Sequence, residues 1–234
     1  MSRLPLYLAA AIMVSTSAYA ADLPAKKTAP APAAAAPVPT LTDTIGIEVS
    51  PEFAAKDSGS ATAGAVVDSY AKLSYAHTFD GTWVAGASYQ GTQRTGTDSS
   101  NVQQFEATGA YKFKFDAITI TPTLGLGYAV GTPKVIVGAS HTTDSAPYYF
   151  VTLAGDYKLN ASWTLNVFNV RYRNSFDGYW VTPKISTGVT YSINPSDAVY
   201  VNVGYAWKNT LGNFDLGHDF ADKSNIAIGY KHSF

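Results

Sequence analysis

Regularly spaced lysines are the residues in this sequence with the clearest chemical role. Lys112 and Lys114 alternate with Tyr111, Phe113 and Phe115. Because side chains alternate between the two faces of a β-strand, this spacing puts both ammonium groups on one face and the aromatic rings on the other. Ammonium groups that line a narrow water path favour anions. The pattern therefore predicts a basic, water-facing wall.

The same alternation assigns other charged residues to the polar face of their segments. A β-bulge near Phe168 would turn Arg171 and Arg173 toward that face as well. Bases outnumber acids in this set, so we expect a net positive lining. The predicted lining residues are Lys72, Lys112, Lys114, Lys158, Lys184, Lys208, Lys231, Glu48, Glu52, Glu106 and Asp156.

Two states of such a lumen are open from the sequence. The charges can pair across strands and close a small barrel, with Glu48 between Lys72 and Lys231 as the concrete case. In the other state the lumen conducts, and a run of small residues favours water by leaving one wall open. That run is Gly125, Gly127 and Ala129.

The elements that must position these residues are long alternating strands. Residues 103–130 form a predicted hairpin whose arms each run about a dozen residues, which suits tilted strands that cross a bilayer. Asp80-Gly81 is a two-residue hairpin signal. Long and short connections alternate, as in bacterial membrane barrels. The predicted strands lie near 44–53, 67–79, 82–90, 103–115, 118–130, 147–159, 163–173, 179–193, 199–208 and 225–234.

The fold prediction is all-β, a transmembrane antiparallel up-and-down β-barrel of ten strands. Eight or twelve strands are the alternatives, and a soluble barrel or sandwich is a further one. Aromatic residues fall at both predicted rims, as expected for interfacial girdles. The set is Trp83, Phe113, Phe115, Tyr157, Trp163, Tyr191 and Phe234 at the short-turn rim, and Tyr128, Tyr149, Tyr172, Tyr179, Tyr205 and Trp207 at the other.

The first 40 residues divide into two segments before a barrel at 41–234. Residues 1–20 have the charged start, apolar core and Ala-Tyr-Ala cleavage site of a secretory signal peptide. Residues 21–40 are rich in Pro and Ala and read as a disordered periplasmic linker. The chain has no cysteine, which excludes disulfide and thiolate-metal frameworks. Its net charge of −1 argues against a nucleic-acid partner.

The start of the mature chain, Ala-Asp-Leu-Pro followed by lysines, resembles small outer-membrane β-barrel proteins of alphaproteobacteria. The resemblance implies that Ala21 and Asp22 form an attachment point to peptidoglycan. The C-terminal strand resembles the signal that the outer-membrane assembly machinery recognises, which implies that machinery as a partner. His232 stands where that signal usually has an aromatic or aliphatic residue, and the matching residues are Ile226, Ile228, Tyr230 and Phe234.

The four histidines give no strong catalytic or metal pattern. His77 and His232 fall on the lipid face near the short-turn end, whereas His141 and His218 fall in long loops. His218-Asp219 superficially resembles the chemistry of outer-membrane proteases, but a loop histidine beside an aspartate is more often solvated surface. We predict no enzyme activity, no cofactor and no metal site.

The sequence thus predicts an outer-membrane barrel of a Gram-negative envelope, with both termini in the periplasm. The first function hypothesis is a porin-like barrel that passes small ions or solutes with a preference for anions. The alternative is a structural protein with a plugged lumen that joins the outer membrane to peptidoglycan. A third hypothesis is adhesion or binding by the surface loops. Outer-membrane lipids are the expected surroundings in each case.

Overall fold

A closed antiparallel β-barrel is the architecture of the chain in a computed structural model. The structure describes residues 42–55, 63–94, 101–131, 144–176, 183–207 and 222–234. Ten strands pair in sequence order, and the last pairs with the first, which closes the sheet. The predicted fold class and the count of ten strands are confirmed. The described residues include no helix long and apolar enough to cross a membrane.

The strands are numbered in chain order, and β4 consists of two segments. Most of them run 10 to 15 residues, which is longer than the usual strand of about five or six. Their bounds are β1 Asp43–Ala54, β2 Val66–Phe79, β3 Trp83–Arg94, β4 Asn101–Tyr111 and Phe113–Phe115, β5 Ile118–Gly131, β6 Asp144–Lys158, β7 Trp163–Ser175, β8 Lys184–Ser192, β9 Asp197–Ala206 and β10 Lys223–Ser233.

The interruption of β4 at Lys112 has a cause on the facing strand. The register between β4 and β5 continues unchanged from Ala110 opposite Thr123 to Phe113 opposite Ile120. At the interruption the facing strand carries Pro122, which has no backbone N–H to donate. One ladder bond is therefore missing, while the inward orientation of Lys112 and Lys114 is kept.

The short connections all lie at one end of the barrel and carry the expected turn chemistry. Asp80 and Gly81 both have positive φ, at 47° and 69°, as a two-residue hairpin with matched twist requires. Asp116, in the second short turn, also has a positive φ, at 51°. In the third and fourth short turns an asparagine side chain accepts hydrogen bonds from the backbone. The Oδ1 of Asn160 accepts from the amides of Ser162 and Trp163, and Asn194 does the same two and three residues ahead.

A bulge in β7 occurs where the sequence predicted it. Pairing with β8 shifts between Asn166 and Asn169, and pairing with β6 shifts beside Gly155. The extra residue changes the parity of the strand, so Arg171 faces the interior together with Asn166. Some predicted strand limits were too short: β3 extends to Arg94, and β6 begins at Asp144.

The barrel is apolar outside and polar inside. Aliphatic and aromatic side chains at alternate positions of every strand are exposed, with Leu124 at 62% and Ile47 at 54%. The buried residues lie on the inner wall, where Ala129, Ala146, Tyr148 and Phe150 form an apolar cluster. A soluble barrel would bury its apolar face instead.

Ring pairs reinforce both rims of the outer surface. At the short-turn rim, Trp83 contacts Tyr111 with ring centres 4.8 Å apart, and Trp163 lies at the same distance from Tyr191. At the opposite rim, Tyr205 and Trp207 are 5.0 Å apart. The predicted girdle residue Tyr179 lies outside the described residues.

Several other predictions concern residues that the structure does not describe. These are the signal peptide, the linker with Ala21 and Asp22, the lining residue Lys208, and the loop histidines His141 and His218.

Candidate functional site

The interior of the barrel encloses a cavity of about 470 Å³. Its wall is built from inward-facing residues of β1–β4 and β6–β10, and its charged members are more basic than acidic. The four acids are Glu48, Glu52, Asp68 and Glu106, and the five bases are Lys72, Arg171, Arg173, Lys184 and Lys223.

Glu106 of β4 is the centre of one group of charged contacts in this wall. Its carboxylate lies 2.5 Å from Nη2 of Arg171 on β7 and 3.8 Å from Nζ of Lys72 on β2. The hydroxyl of Tyr148 on β6 donates to the same carboxylate at 2.9 Å. Four strands that are not all neighbours are thereby joined across part of the lumen. The Glu106 side chain is only 7% exposed.

The pairing of Glu48 with Lys72 and Lys231, offered by the sequence as the concrete case of one of two open states, is not the arrangement in the structure. Glu48 does lie opposite Lys72 in the ladder, but its two carboxylate oxygens accept hydrogen bonds of 2.8 Å from the hydroxyls of Tyr70 and Tyr200. Lys231 instead places its Nζ 4.8 Å from the centre of the Tyr200 ring. The tyrosines satisfy the acid, so Lys72 is available to Glu106.

The prediction that small residues leave one wall open was wrong. A Cβ added to Gly125 would lie 2.1 Å from the Phe150 ring, and one added to Gly127 would lie 2.2 Å from the Tyr148 ring. The glycines thus provide space for two aromatic rings from β6. Arg171 packs over Phe150, with its guanidinium carbon 4.5 Å from the ring centre. That wall is filled by stacked aromatic and arginine side chains.

A second charged group lies at the end of the lumen opposite the short turns. Lys223 of β10 contacts Asp68 of β2 and lies 3.6 Å from Glu52 of β1. Beneath it Asn225 donates to Ser50 at 3.0 Å in a buried contact. Sequence reasoning missed Lys223 because the predicted tenth strand began two residues after it. It also missed Asp68, although this residue lies in the predicted second strand on the same face as Lys72.

The lysines of the opening pattern lie near the short-turn end of the inner wall. Lys114 is opposite Thr119, which is in turn opposite Asp156 of β6, so all three share the inward face. Nζ of Lys112 is 3.4 Å from the hydroxyl of Thr78. Lys112 is also within electrostatic range of Lys114, Lys231 and Asp156. Lys158 is the last residue of β6, at the same short-turn end of the barrel.

Lys184 is the first residue of β8, at the end of that strand opposite the short turns, where Ala206 of β9 separates it from Lys223 in the ladder. Its Nζ is 5.8 Å from the centre of the Tyr70 ring on β2, so it reaches toward a strand on the far side of the lumen. Several of the residues predicted on the inner face contribute directly to the cavity wall, namely Glu48, Glu52, Lys72, Glu106, Arg171, Arg173 and Lys184.

The arrangement is suited to electrostatic selection of small solutes. Polar groups surround a space large enough for water and small ions, and side chains that cross the lumen restrict larger ones. Within the described ranges there is no group of three His, Asp or Glu side chains that could hold a metal ion.

No family model matches the chain, and no curated protein matches it. Solved structures do resemble the barrel. Neisserial surface protein A has 12% identity and a TM-score of 0.45, with 82% of this chain and 97% of that chain covered. The KdgM porin in complex with oligogalacturonate has 14% identity and a TM-score of 0.42, with coverages of 82% and 99%. Ail of Yersinia pestis has 11% identity and a TM-score of 0.38, with coverages of 83% and 100%. These values are too low to indicate a shared function.

Proposed function

We propose that this chain is an integral outer-membrane β-barrel that passes water and small ions through a narrow lumen with a preference for anions. The membrane location is supported by the outer surface, where exposed aliphatic side chains lie between two rims of paired aromatic rings. Such a continuous apolar surface would be costly in water, and strands of this length match a bilayer.

The observation that carries the transport proposal is the enclosed, polar, net-positive lining of the lumen. Five bases face four acids around the cavity of about 470 Å³. Near the short turns, the positive charges of Lys114 and Lys231 lie within electrostatic range of Lys112. The acid within the same range is Asp156. A low-dielectric wall concentrates the field of these charges, so an anion entering from this end meets an attractive potential.

The test is ion current through the refolded chain in a planar bilayer with a salt gradient. Wild-type protein is expected to give discrete conductance steps. Its reversal potential should be displaced from zero toward the equilibrium potential of the anion. Lys112→Glu with Lys114→Glu should move the reversal potential toward cation selectivity, more strongly at low salt because screening weakens.

A neutralising pair, Lys112→Gln with Lys114→Gln, is the matched control and should shift selectivity about half as far. A conducting barrel whose reversal potential is the same in all three proteins would contradict the proposed lysine field.

A closed structural barrel is the second candidate, and the Glu106 contact favours it. Arg171, Lys72 and Tyr148 reach this carboxylate from three different strands, and such cross-lumen bonds can block ion passage. A folded wild-type barrel that gives no current, together with current through Glu106→Ala/Arg171→Ala, would identify closure by this contact.

In the closed case we propose that the N-terminal segment joins the barrel to peptidoglycan through Ala21 and Asp22. Muropeptides digested from cell walls should then contain Ala21 bonded to a cell-wall peptide, as read by mass spectrometry. Recovery of Ala21 solely as a free amine would reject the tether, and adhesion by the loops would be the remaining role.

A further inference from the structure

The outer surface of the barrel carries a short polar unit twice. Residues Tyr75–Phe79 read Tyr-Ala-His-Thr-Phe, and residues Tyr230–Phe234 read Tyr-Lys-His-Ser-Phe. In each case the paired strand begins with an aspartate, and a hydroxyl residue precedes that aspartate. These pairs are Thr42-Asp43 at the start of β1 and Ser196-Asp197 at the start of β9. Alternating strands require only apolar residues at such outward positions, so the repetition of Asp, Tyr and His needs a separate explanation.

The first unit is a compact hydrogen-bonded group. Asp43 lies directly opposite His77 in the ladder. Its Oδ1 accepts from the hydroxyl of Tyr75 at 2.5 Å and lies 2.9 Å from Nδ1 of His77. Its Oδ2 accepts from Thr42 at 3.1 Å. The ring of Phe79 meets the imidazole edge-on, with centres 4.3 Å apart.

The second unit repeats this geometry on β9 and β10. Asp197 lies opposite His232, and its Oδ1 accepts from the hydroxyl of Tyr230 and lies 2.8 Å from Nδ1 of His232. Its Oδ2 accepts from Asn194 at 2.7 Å. The ring of Phe234 stacks on the imidazole with centres 6.0 Å apart.

Both units lie on four consecutive strands of the closed sheet, at the short-turn rim. The strands run β9, β10, β1 and β2 around the barrel, and Ile45 of β1 is opposite His232. Since adjacent strands are about 4.8 Å apart, the two imidazoles are separated laterally by roughly 10 Å. The imidazole side chains are 34% and 47% exposed for His77 and His232.

One ring nitrogen in each unit remains available for an external ligand. Both oxygens of each carboxylate already accept hydrogen bonds, and Nδ1 of each imidazole contacts a carboxylate. In the described part of the chain, Nε2 of neither histidine makes a hydrogen bond. A protonated imidazole presents Nε2–H as a donor, which suits an anionic oxygen.

The depth of the units selects the anion. They lie on the outer face at the end of the apolar surface, beside the exposed rings of Phe79 and Phe234. At that depth a membrane places the phosphate groups of its lipids, whereas soluble anions are excluded from the acyl region just above.

We propose that each Asp–Tyr–His unit binds the phosphate group of one phospholipid in the leaflet at the short-turn end. The aspartate fixes the imidazole through Nδ1, Nε2 donates to the phosphate, and the phenylalanine packs beside the acyl chain. This inference rests on the membrane location proposed above, and it is independent of whether the lumen conducts.

The test counts lipids that remain on the refolded full chain. The barrel is refolded in maltoside micelles that contain either phosphatidylglycerol or an uncharged diacyl glycolipid, and bound lipids are counted by native mass spectrometry. Wild-type protein should retain two phosphatidylglycerol molecules and no glycolipid. His77→Gln and His232→Gln should each retain one, and the double variant none. Tyr191→Gln, at the same rim but outside both units, should retain two.

A second measurement does not depend on variants. The imidazole ¹⁵N resonances of wild-type protein should shift when phosphatidylglycerol is added and should not shift with the glycolipid or with free glycerol phosphate. Equal retention of phosphatidylglycerol by wild-type and the double histidine variant would overturn the proposal, as would a response to glycerol phosphate alone. Insertion into bilayers is measured separately, so a barrel that inserts yet retains no lipid rejects this inference while leaving the membrane location intact.

Discussion

Replacing Glu106 by glutamine tests the charged contact at the centre of the lumen. The side chain keeps its size, and its amide oxygen can still accept from Tyr148. The negative charge that faces Arg171 at 2.5 Å and Lys72 at 3.8 Å is lost. Both cations are then left without this partner in a wall where Glu106 itself was 7% exposed.

The expected loss of unfolding free energy is about 3 kcal/mol. Removing one partner of a buried ion pair costs about 3–5 kcal/mol, because the remaining charge is still buried. The lower end applies here, since the adjoining cavity can supply water and the Arg171 guanidinium keeps its contact with Phe150. If the lumen conducts, its preference for anions should also increase, because the lining gains one net positive charge.

The assay is reversible urea unfolding of the barrel in lipid vesicles, followed by tryptophan fluorescence. Asp80→Asn is the matched control: it removes one negative charge in a turn, where asparagine also tolerates the positive φ of 47°. A double-mutant cycle with Arg171→Met measures the coupling directly. A loss below about 1 kcal/mol for Glu106→Gln, with a coupling energy near zero, would refute the role assigned to this contact.

Two further substitutions test the outer surface and the filled inner wall. Leu124→Arg, at the middle of β5 and 62% exposed, should cost about 2–4 kcal/mol in vesicles, whereas Phe115→Arg at the rim should cost about 0–1 kcal/mol. Equal, small costs at both positions would indicate a surface that faces water. Gly125→Ala and Gly127→Ala should each cost about 1–3 kcal/mol in the same unfolding assay, because the new Cβ would overlap the Phe150 or Tyr148 ring. Gly109→Ala is their control and should be nearly neutral, since nothing lies within 4 Å of its added Cβ. A matching loss there would mean that the contact with the Phe150 and Tyr148 rings does not explain the effect.

The fold was predictable because its signals are local. Alternation along a strand depends only on the sequence of that strand, and the turn residues Asp80-Gly81 and Asn194 specify their turns directly. The bulge near Phe168 was also visible, because the apolar residues change parity there. The break in β4 was missed, since it arises from Pro122 on the facing strand.

Contacts inside the lumen were harder to predict because they depend on register between strands. Gly127 lies opposite Tyr148 across β5 and β6, and the connection between those strands is too long for a turn to fix their pairing. The glycine therefore suggested empty space from the sequence alone. For Glu48, alternation predicted the inward face, but two neighbouring tyrosines rather than the expected lysines reach its oxygens. A hydroxyl carries no net charge, so charge patterning could not reveal it.

The contacts that stabilise the interior are the same ones that restrict the lumen. Arg171 binds Glu106 and covers Phe150. The ring of Tyr148 occupies the space over Gly127, and its hydroxyl donates to the Glu106 carboxylate. A wider lumen would therefore require breaking buried charge pairs rather than moving a separate plug. Variants that increase conductance through this wall should lose unfolding free energy in proportion, whereas selectivity changes from Lys114 should leave stability nearly unchanged, because Lys114 is exposed. Measuring conductance and unfolding on the same set of variants would separate these two regions of the lumen.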